Sequence, residues 1–270
     1  MERIFNENKV KPALFVVGSG PGDPELLTIK GFKALKAAKV ILFDNLANEK
    51  LLNIAKPGCE KIFVGKKPYG ITTTQDEINE LIKHYAFTRG NVVRLKGGDP
   101  FIFGRGFEEI IFARQHGIET FYIPGISSMQ SAGFHDIPLT HRGLSESVWA
   151  ITGTKKDGAL SADLHLAMQS KATVVIYMGM KRLAEIADIY INAGKGAVPA
   201  AIIQNGTLLH QQKITCEVKD LYQSAFSAGL SNPAIIIIGE VVNAAISENE
   251  KECVFSHLLM PKFLTYQQAV

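Results

Sequence analysis

A chain of 270 residues and 29.5 kDa has room for one large α/β domain or two modest ones, which excludes a short module. Its 46% hydrophobic and 20% charged residues exclude a disordered or fibrous protein. With 29 basic against 26 acidic residues, the surplus of +3 is too small to imply nucleic-acid binding from bulk charge, so any electropositive site must be local.

The opening MERIFNENKVKPA lacks the apolar core of a signal peptide, and no later apolar run exceeds strand length, so a cytoplasmic chain without a membrane span is expected. Cys59, Cys216 and Cys253 are odd in number and widely spaced, which fits a reducing compartment. Apolar β-branched runs then recur at 13–18 (ALFVVG), 40–44 (VILFD), 61–65 (KIFVG), 91–95 (NVVRL) and 119–124 (ETFYIP), separated by longer helical patterns. This rhythm predicts a doubly wound, mainly parallel sheet over residues 11–139. Asp23-Pro24 reads as a cap followed by proline at the first helical position, and Thr74-Gln75-Asp76-Glu77 as a capping box.

Residues 136–147 are polar, carry Pro and Gly, and read as a linker. A second α/β domain is expected over 147–246, with strands at 147–152, 172–178, 197–203, 212–218 and 233–239 and helices at KRLAEIADIYINAG and VKDLYQSAFSAG. Asn205-Gly206 suggests a hairpin, hence a mixed second sheet, and the residues after Val242 read as a tail.

Two glycine loops carry the chemistry. Gly18-Ser19-Gly20-Pro21-Gly22-Asp23-Pro24 occupies the place of a dinucleotide fingerprint, but Asp23 stands where the third glycine belongs, and a carboxylate there would repel a pyrophosphate. A cationic or zwitterionic ligand matches better; a plain tight turn with a capping aspartate is the alternative. The second loop, Lys96-Gly97-Gly98-Asp99-Pro100, repeats the Gly-Asp-Pro turn after the fourth strand, so both loops should face one pocket outside the carboxyl ends of the strands. Asp44 and Lys66 fall at the ends of neighbouring strands and offer a proton acceptor and donor, although alone each is also a turn residue or a solvated lysine. Ser127 and Ser128 follow the fifth strand, as helix caps or ligand contacts. The seven histidines form no metal-ligand spacing, and no metal is expected.

Taken together, GSGPGDPELLT, VVRLKGGDPFIFGRGFEE, PGISS, PLTHRG, YMGM and NPAIIIIGEVV resemble the tetrapyrrole methylase family, in order from about Ala13 to Val242. The resemblance implies two α/β domains with S-adenosylmethionine (SAM) folded between them, commonly in a homodimer. It places the cofactor contacts on Pro21, Gly97, Gly98, Asp99, Ile102, Ser127, Ser128, Met178, Gly206 and Ala234, and the proton acceptor and donor on Asp44 and Lys66. The implied reaction is double methylation of uroporphyrinogen III to precorrin-2. Arg94, Lys96, Arg105, His141 and Arg142, with Lys67, are the cations that would meet the carboxylate arms of such a substrate. Thr154 departs from the family, which more often carries histidine there, and Ser128 replaces a frequent alanine. No NAD-binding domain precedes the first strand, so dehydrogenase and ferrochelatase activities are not expected. The competing expectations are methylation of a later corrin intermediate, a non-catalytic SAM-binding protein, and a nicotinamide oxidoreductase, which the missing third glycine opposes.

Overall fold

The computed structural model describes residues 11–65 and 73–244; Lys66, Lys67, Cys253 and the tail lie outside the described residues. Within the first half, β1 (Ala13–Gly18), β2 (Val40–Phe43), β3 (Glu60–Phe63), β4 (Asn91–Lys96) and β5 (Glu119–Ile123) form an all-parallel sheet in the order β3-β2-β4-β1-β5. The central strands β1, β2 and β4 are almost wholly buried, whereas the edge strands β3 and β5 are half exposed. Helices α2 (Gln75–Arg89) and α3 (Gly106–Gln115) cover one face through Ile78, Ile82, Ala86, Ile110 and Ala113. Helix α1 (Ile29–Ala37) and a 3-10 segment at Glu49–Ile54 cover the other through Leu35, Leu51 and Leu52.

The second sheet is mixed, as Asn205-Gly206 suggested. β6 (Val148–Thr152) runs parallel to β7 (Thr173–Tyr177), while β10 (Ala234–Ile238) is antiparallel to both β7 and β8 (Pro199–Gln204), and β9 (Gln212–Glu217) closes the far edge. Helices α4 (Asp163–Gln169), α5 (Leu183–Asn192) and α6 (Leu221–Ser227) pack on one face. The opposite face is filled by Ala132 and Ile137, from a 3-10 segment at Ser128–His135 and the turn after it. Residues 128–139 therefore pack with the second sheet, although the sequence places them with the first domain. Among the described residues, no helix is long and apolar enough to cross a membrane.

One local expectation is corrected. Asp23 caps only a 3-10 turn, Pro24–Leu26, after which Leu27 and Thr28 are extended. Leu27 thereby packs against the core beneath the sheet, and Thr28 caps α1, its hydroxyl accepting from the Gly31 N–H at 3.0 Å and donating to the Pro124 carbonyl at 3.5 Å. Thr28→Ala is expected to cost about 1 kcal/mol in urea unfolding, and Asp23→Ala less, because no longer helix hangs on its cap. A larger loss at Asp23 would return the helix start to that position. The capping box at Thr74 is formed as the sequence predicts, with the Glu77 carboxylate accepting from the Thr74 N–H at 2.6 Å.

Candidate active site

Parallel strands deliver their following loops to one edge, and β1 and β4 are neighbours, so the two Gly-Asp-Pro loops meet. They do so through backbone alone: the Gly98 N–H donates to the Gly20 carbonyl at 2.7 Å and the Gly20 N–H to the Gly98 carbonyl at 3.3 Å. A third loop closes against them. A Cβ on Gly125 would stand 2.2 Å from the Gly98 oxygen, and one on Gly18 would stand 2.5 Å from the Gly125 nitrogen. Gly98 in turn lies against Ile126 to Ser128, so Gly97, Gly98, Ser127 and Ser128 meet at one floor of peptide groups, with Pro21 next in the chain to the bridged Gly20.

Asp99 does not face this floor with its side chain. Its buried carboxylate accepts from the Phe101 N–H (2.8 Å), the Tyr122 hydroxyl (2.7 Å) and the Gly125 N–H (3.1 Å), so it fixes the loop from behind. Burial first, then this bond, pushes the Tyr122 hydroxyl up to about 12. The Phe101 ring stacks on Tyr122 at 3.9 Å, leaving Phe101, Ile102 and Phe103 partly exposed on the loop.

The second sheet supplies the facing wall. Tyr177, at the end of β7, is buried; its hydroxyl hydrogen-bonds Ser127 Oγ at 2.8 Å and accepts from the Met129 N–H at 3.2 Å. Met178, the next residue, is in the left-handed region (φ 56°) and is 49% exposed at the rim. The Asp23 N–H donates to Thr207 Oγ1 at 3.0 Å, tying the first loop to the β8–β9 connection that carries Gly206. Ala234 pairs with Gln204 beside that connection. Phe103, Arg105, Met178, Asn205 and Thr207 are five of the six non-glycine residues with positive φ among the described residues; Phe103 packs on Tyr177, Met178 follows it, and Asn205 and Thr207 flank Gly206. Backbone strain of this kind concentrates where a site demands it.

The strand-end charges are arranged otherwise than the sequence suggests. Arg94 and Lys96 are not free for substrate arms: both are buried, because i and i+2 positions of β4 share one face and that face lies under α3. Glu109 of α3, wholly buried, accepts from Arg94 Nε at 3.2 Å and Lys96 Nζ at 3.0 Å through Oε1. Arg94 also donates to the Leu95 carbonyl at 2.8 Å and, through Nη2, to Asp44 Oδ2 at 2.9 Å. Burial, and then the neighbouring Arg94 charge, hold the Lys96 ammonium below its usual range. Asp44 itself is half-buried at the mouth, its Oδ1 accepting from the Leu46 N–H at 3.1 Å.

Arg105, the N-cap residue of α3, is exposed and is paired with Glu108 at 2.6 Å and 2.9 Å. His141 and Arg142 are not brought to this cluster. Their hairpin, bridged from His141 to Ser145, is anchored by Ser145 Oγ accepting from the Thr173 N–H at 2.9 Å, at the start of β7, whereas Met178 follows its end. Thr154 donates to the Met178 carbonyl at 2.8 Å and so holds the rim. Tyr177 and Glu109 escape the sequence reading, but Glu109 leaves a trace there. With Gly106, Ile110 and Ala113 it shares the buried stripe of α3, where a charge needs a partner. Among the described residues, no group of three or more His, Cys, Asp or Glu could hold a metal ion.

A model of the tetrapyrrole (corrin/porphyrin) methylases matches residues 13–222. The chain belongs to this family. Among similar methylases, a uroporphyrinogen-III C-methyltransferase of Bacillus subtilis is 41% identical over 233 residues, covering 85% of this chain and 91% of the relative. A siroheme synthase of Chromobacterium violaceum is 39% identical over 86% of this chain; the chain spans about half (50%) of that relative's length. Among solved methylase structures, a uroporphyrin-III C-methyltransferase of Thermus thermophilus complexed with S-adenosylhomocysteine superposes with a TM-score of 0.75 at 36% identity, covering 86% of this chain and 99% of that one. The cobalt precorrin-4 methyltransferase CbiF gives a TM-score of 0.76 at 26% identity.

Proposed function

We propose that this tetrapyrrole methylase transfers methyl groups from SAM to ring carbons of uroporphyrinogen III, two transfers giving precorrin-2. The observation that carries this is the 41% identity to a uroporphyrinogen-III C-methyltransferase over 91% of that enzyme's length. A later corrin substrate is less favoured, since the identity to the precorrin-4 enzyme is only 26%. The working form is a homodimer, as the resemblance implies, and it acts in the cytoplasm, as the cysteine usage suggests.

The cleft fits the donor. Loops that approach within 2.5 Å of where side chains would stand present amide and carbonyl groups with Asp23 at the mouth, a lining suited to a cationic, zwitterionic ligand and ill suited to a pyrophosphate. Bound there, SAM supplies an electrophilic methyl group on a cationic sulfur. Pro21, Gly97, Gly98, Ile102, Ser127 and Ser128 hold it from the first sheet, and Met178, Gly206 and Ala234 from the second; Asp99 acts through the loop it braces. The reduced macrocycle is an electron-rich carbon nucleophile, so no covalent enzyme intermediate is required. The protein aligns carbon, methyl and sulfur, and such positioning supplies several kcal/mol of the barrier. Asp44 accepts the proton that the alkylated ring sheds, and Lys66 returns one, as the family resemblance places them. Arg105, still exposed despite its pairing, meets a carboxylate arm.

Anaerobic incubation with uroporphyrinogen III and SAM, read by product mass, is expected to show a gain of two methyl groups. No gain, with SAM bound in calorimetry, would leave a non-catalytic binding protein and end this reading.

A further inference from the structure

Glu109 is a buried carboxylate that the proposed transfer does not use. It is 0% exposed. All of its hydrogen bonding falls on Oε1, which accepts from Arg94 Nε (3.2 Å), Lys96 Nζ (3.0 Å) and Gln75 Nε2 (3.3 Å), the last from the first turn of α2. Among the described residues, buried Oε2 has no hydrogen-bond partner. An unshared buried carboxylate oxygen is costly, and Glu109 carries that cost while its charge is set against two buried cations, Arg94 and Lys96.

The geometry gives the carboxylate a different use. The Arg94 guanidinium stands between two acids: Nε goes to Glu109 and Nη2 to Asp44 Oδ2 at 2.9 Å, while Nη1 is fixed by the Leu95 carbonyl at 2.8 Å. Its orientation leaves Asp44 one bond to the arginine and one to the Leu46 N–H. Two cations, Arg94 and Lys96, thus face two carboxylates, Asp44 and Glu109. Among the described residues, Arg105 and Glu108, bonded to each other at the start of α3, Asp76 on α2 and Lys156 are the further charges near this group.

We propose that Glu109 is a positioning residue for Asp44: it competes for the charge of Arg94 and so sets both the orientation of the Asp44 carboxylate and how readily that carboxylate accepts a proton. This rests on the reading of Asp44 as the proton acceptor. Glu109→Gln keeps the shape and the accepting oxygen but removes the charge. Arg94 and Lys96 then act on Asp44 without a counterweight, which makes Asp44 harder to protonate and a weaker base. Lys96→Met has the opposite sign. It removes one cation, leaves Glu109 to hold Arg94, and makes Asp44 easier to protonate.

The test is the pH profile of kcat for methyl transfer to uroporphyrinogen III in the full-length protein, for wild type, Glu109→Gln, Lys96→Met and Asp44→Asn, with S-adenosylhomocysteine affinity measured alongside. Glu109→Gln is expected to lower kcat about tenfold and move the acid limb down by about one pH unit, and Lys96→Met to move that limb up. Affinity for S-adenosylhomocysteine should be unchanged in both. A structural role alone would lower activity without opposed shifts. An unmoved limb in Glu109→Gln, or shifts of the same sign in the two variants, overturns the inference while the role of Asp44 stands. If Glu109→Gln does not fold, a Lys96→Met limb that fails to rise overturns it by itself. Wild-type turnover in Asp44→Asn overturns the role of Asp44 and this inference with it.

Discussion

Replacing Asp44 with asparagine is expected to reduce kcat for methyl transfer by about 10²–10⁴-fold, the range that a positioned proton acceptor contributes, while S-adenosylhomocysteine binds as in the wild type. The substitution isolates chemistry from structure for specific reasons. The amide oxygen can still accept from the Leu46 N–H, which keeps the turn after β2. Arg94, which loses a charged partner, retains Glu109 at 3.2 Å and the Leu95 carbonyl at 2.8 Å, so its guanidinium keeps hydrogen-bond partners on two sides. The floor of bare peptide groups proposed to hold the donor is built from the β1, β4 and β5 loops, whereas Asp44 follows β2. What the amide cannot do is take a proton. Turnover within about threefold of wild type at saturating substrate would remove Asp44 from the reaction, whereas parallel loss of turnover and ligand affinity would point to a collapsed cleft instead.

Among the described residues, the central strands were legible because each is an apolar run buried on both faces, whereas β3, β5 and β9 show only as runs that stay half exposed at the sheet edges. The glycine loops were legible for the same local reason: a Gly-Asp-Pro turn at a strand end specifies its own bend. Direction of a side chain was not. Arg94 and Lys96 look like substrate cations when read as strand-end charges, and only the packing of α3 over β4 turns them toward Glu109. His141 and Arg142 look like cleft residues because they precede the second domain, yet the bond between Ser145 and Thr173 anchors them at the other end of β7. Tyr177 illustrates the same limit. It ends an apolar run like any core aromatic, and its hydroxyl acquires meaning only when Ser127, 50 residues earlier, arrives from the other sheet. Contacts made within a turn are written locally; contacts between layers are decided by which faces the layers present.

Gly125→Ala should be the most damaging single methyl in the cleft, although the residue touches no charged group through a side chain. The new Cβ would lie 2.2 Å from the Gly98 oxygen and 2.8 Å from Gly18 Cα, and both neighbours are backbone with no rotamer to move. Gly125 does not have a positive φ, so the obstacle is space alone. Relief has to come from separating the loops, and the first casualty is the Gly98 carbonyl, which accepts the Gly20 N–H at 3.3 Å. The Gly125 N–H bond to Asp99 at 3.1 Å weakens with the same displacement, loosening the turn that carries Gly97 and Ile102. Overpacking of this kind costs about 2–3 kcal/mol of stability, and because the displaced groups are the floor itself, S-adenosylhomocysteine affinity should fall by about a hundredfold. Gly133→Ala supplies the comparison: a Cβ there meets nothing within 4 Å, so stability should change by no more than about 0.5 kcal/mol and affinity not at all. Calorimetric titration with denaturant unfolding of both variants decides it. Should Gly125→Ala bind as tightly as wild type, the floor of the cleft is not where three backbones converge, and the donor must be held elsewhere.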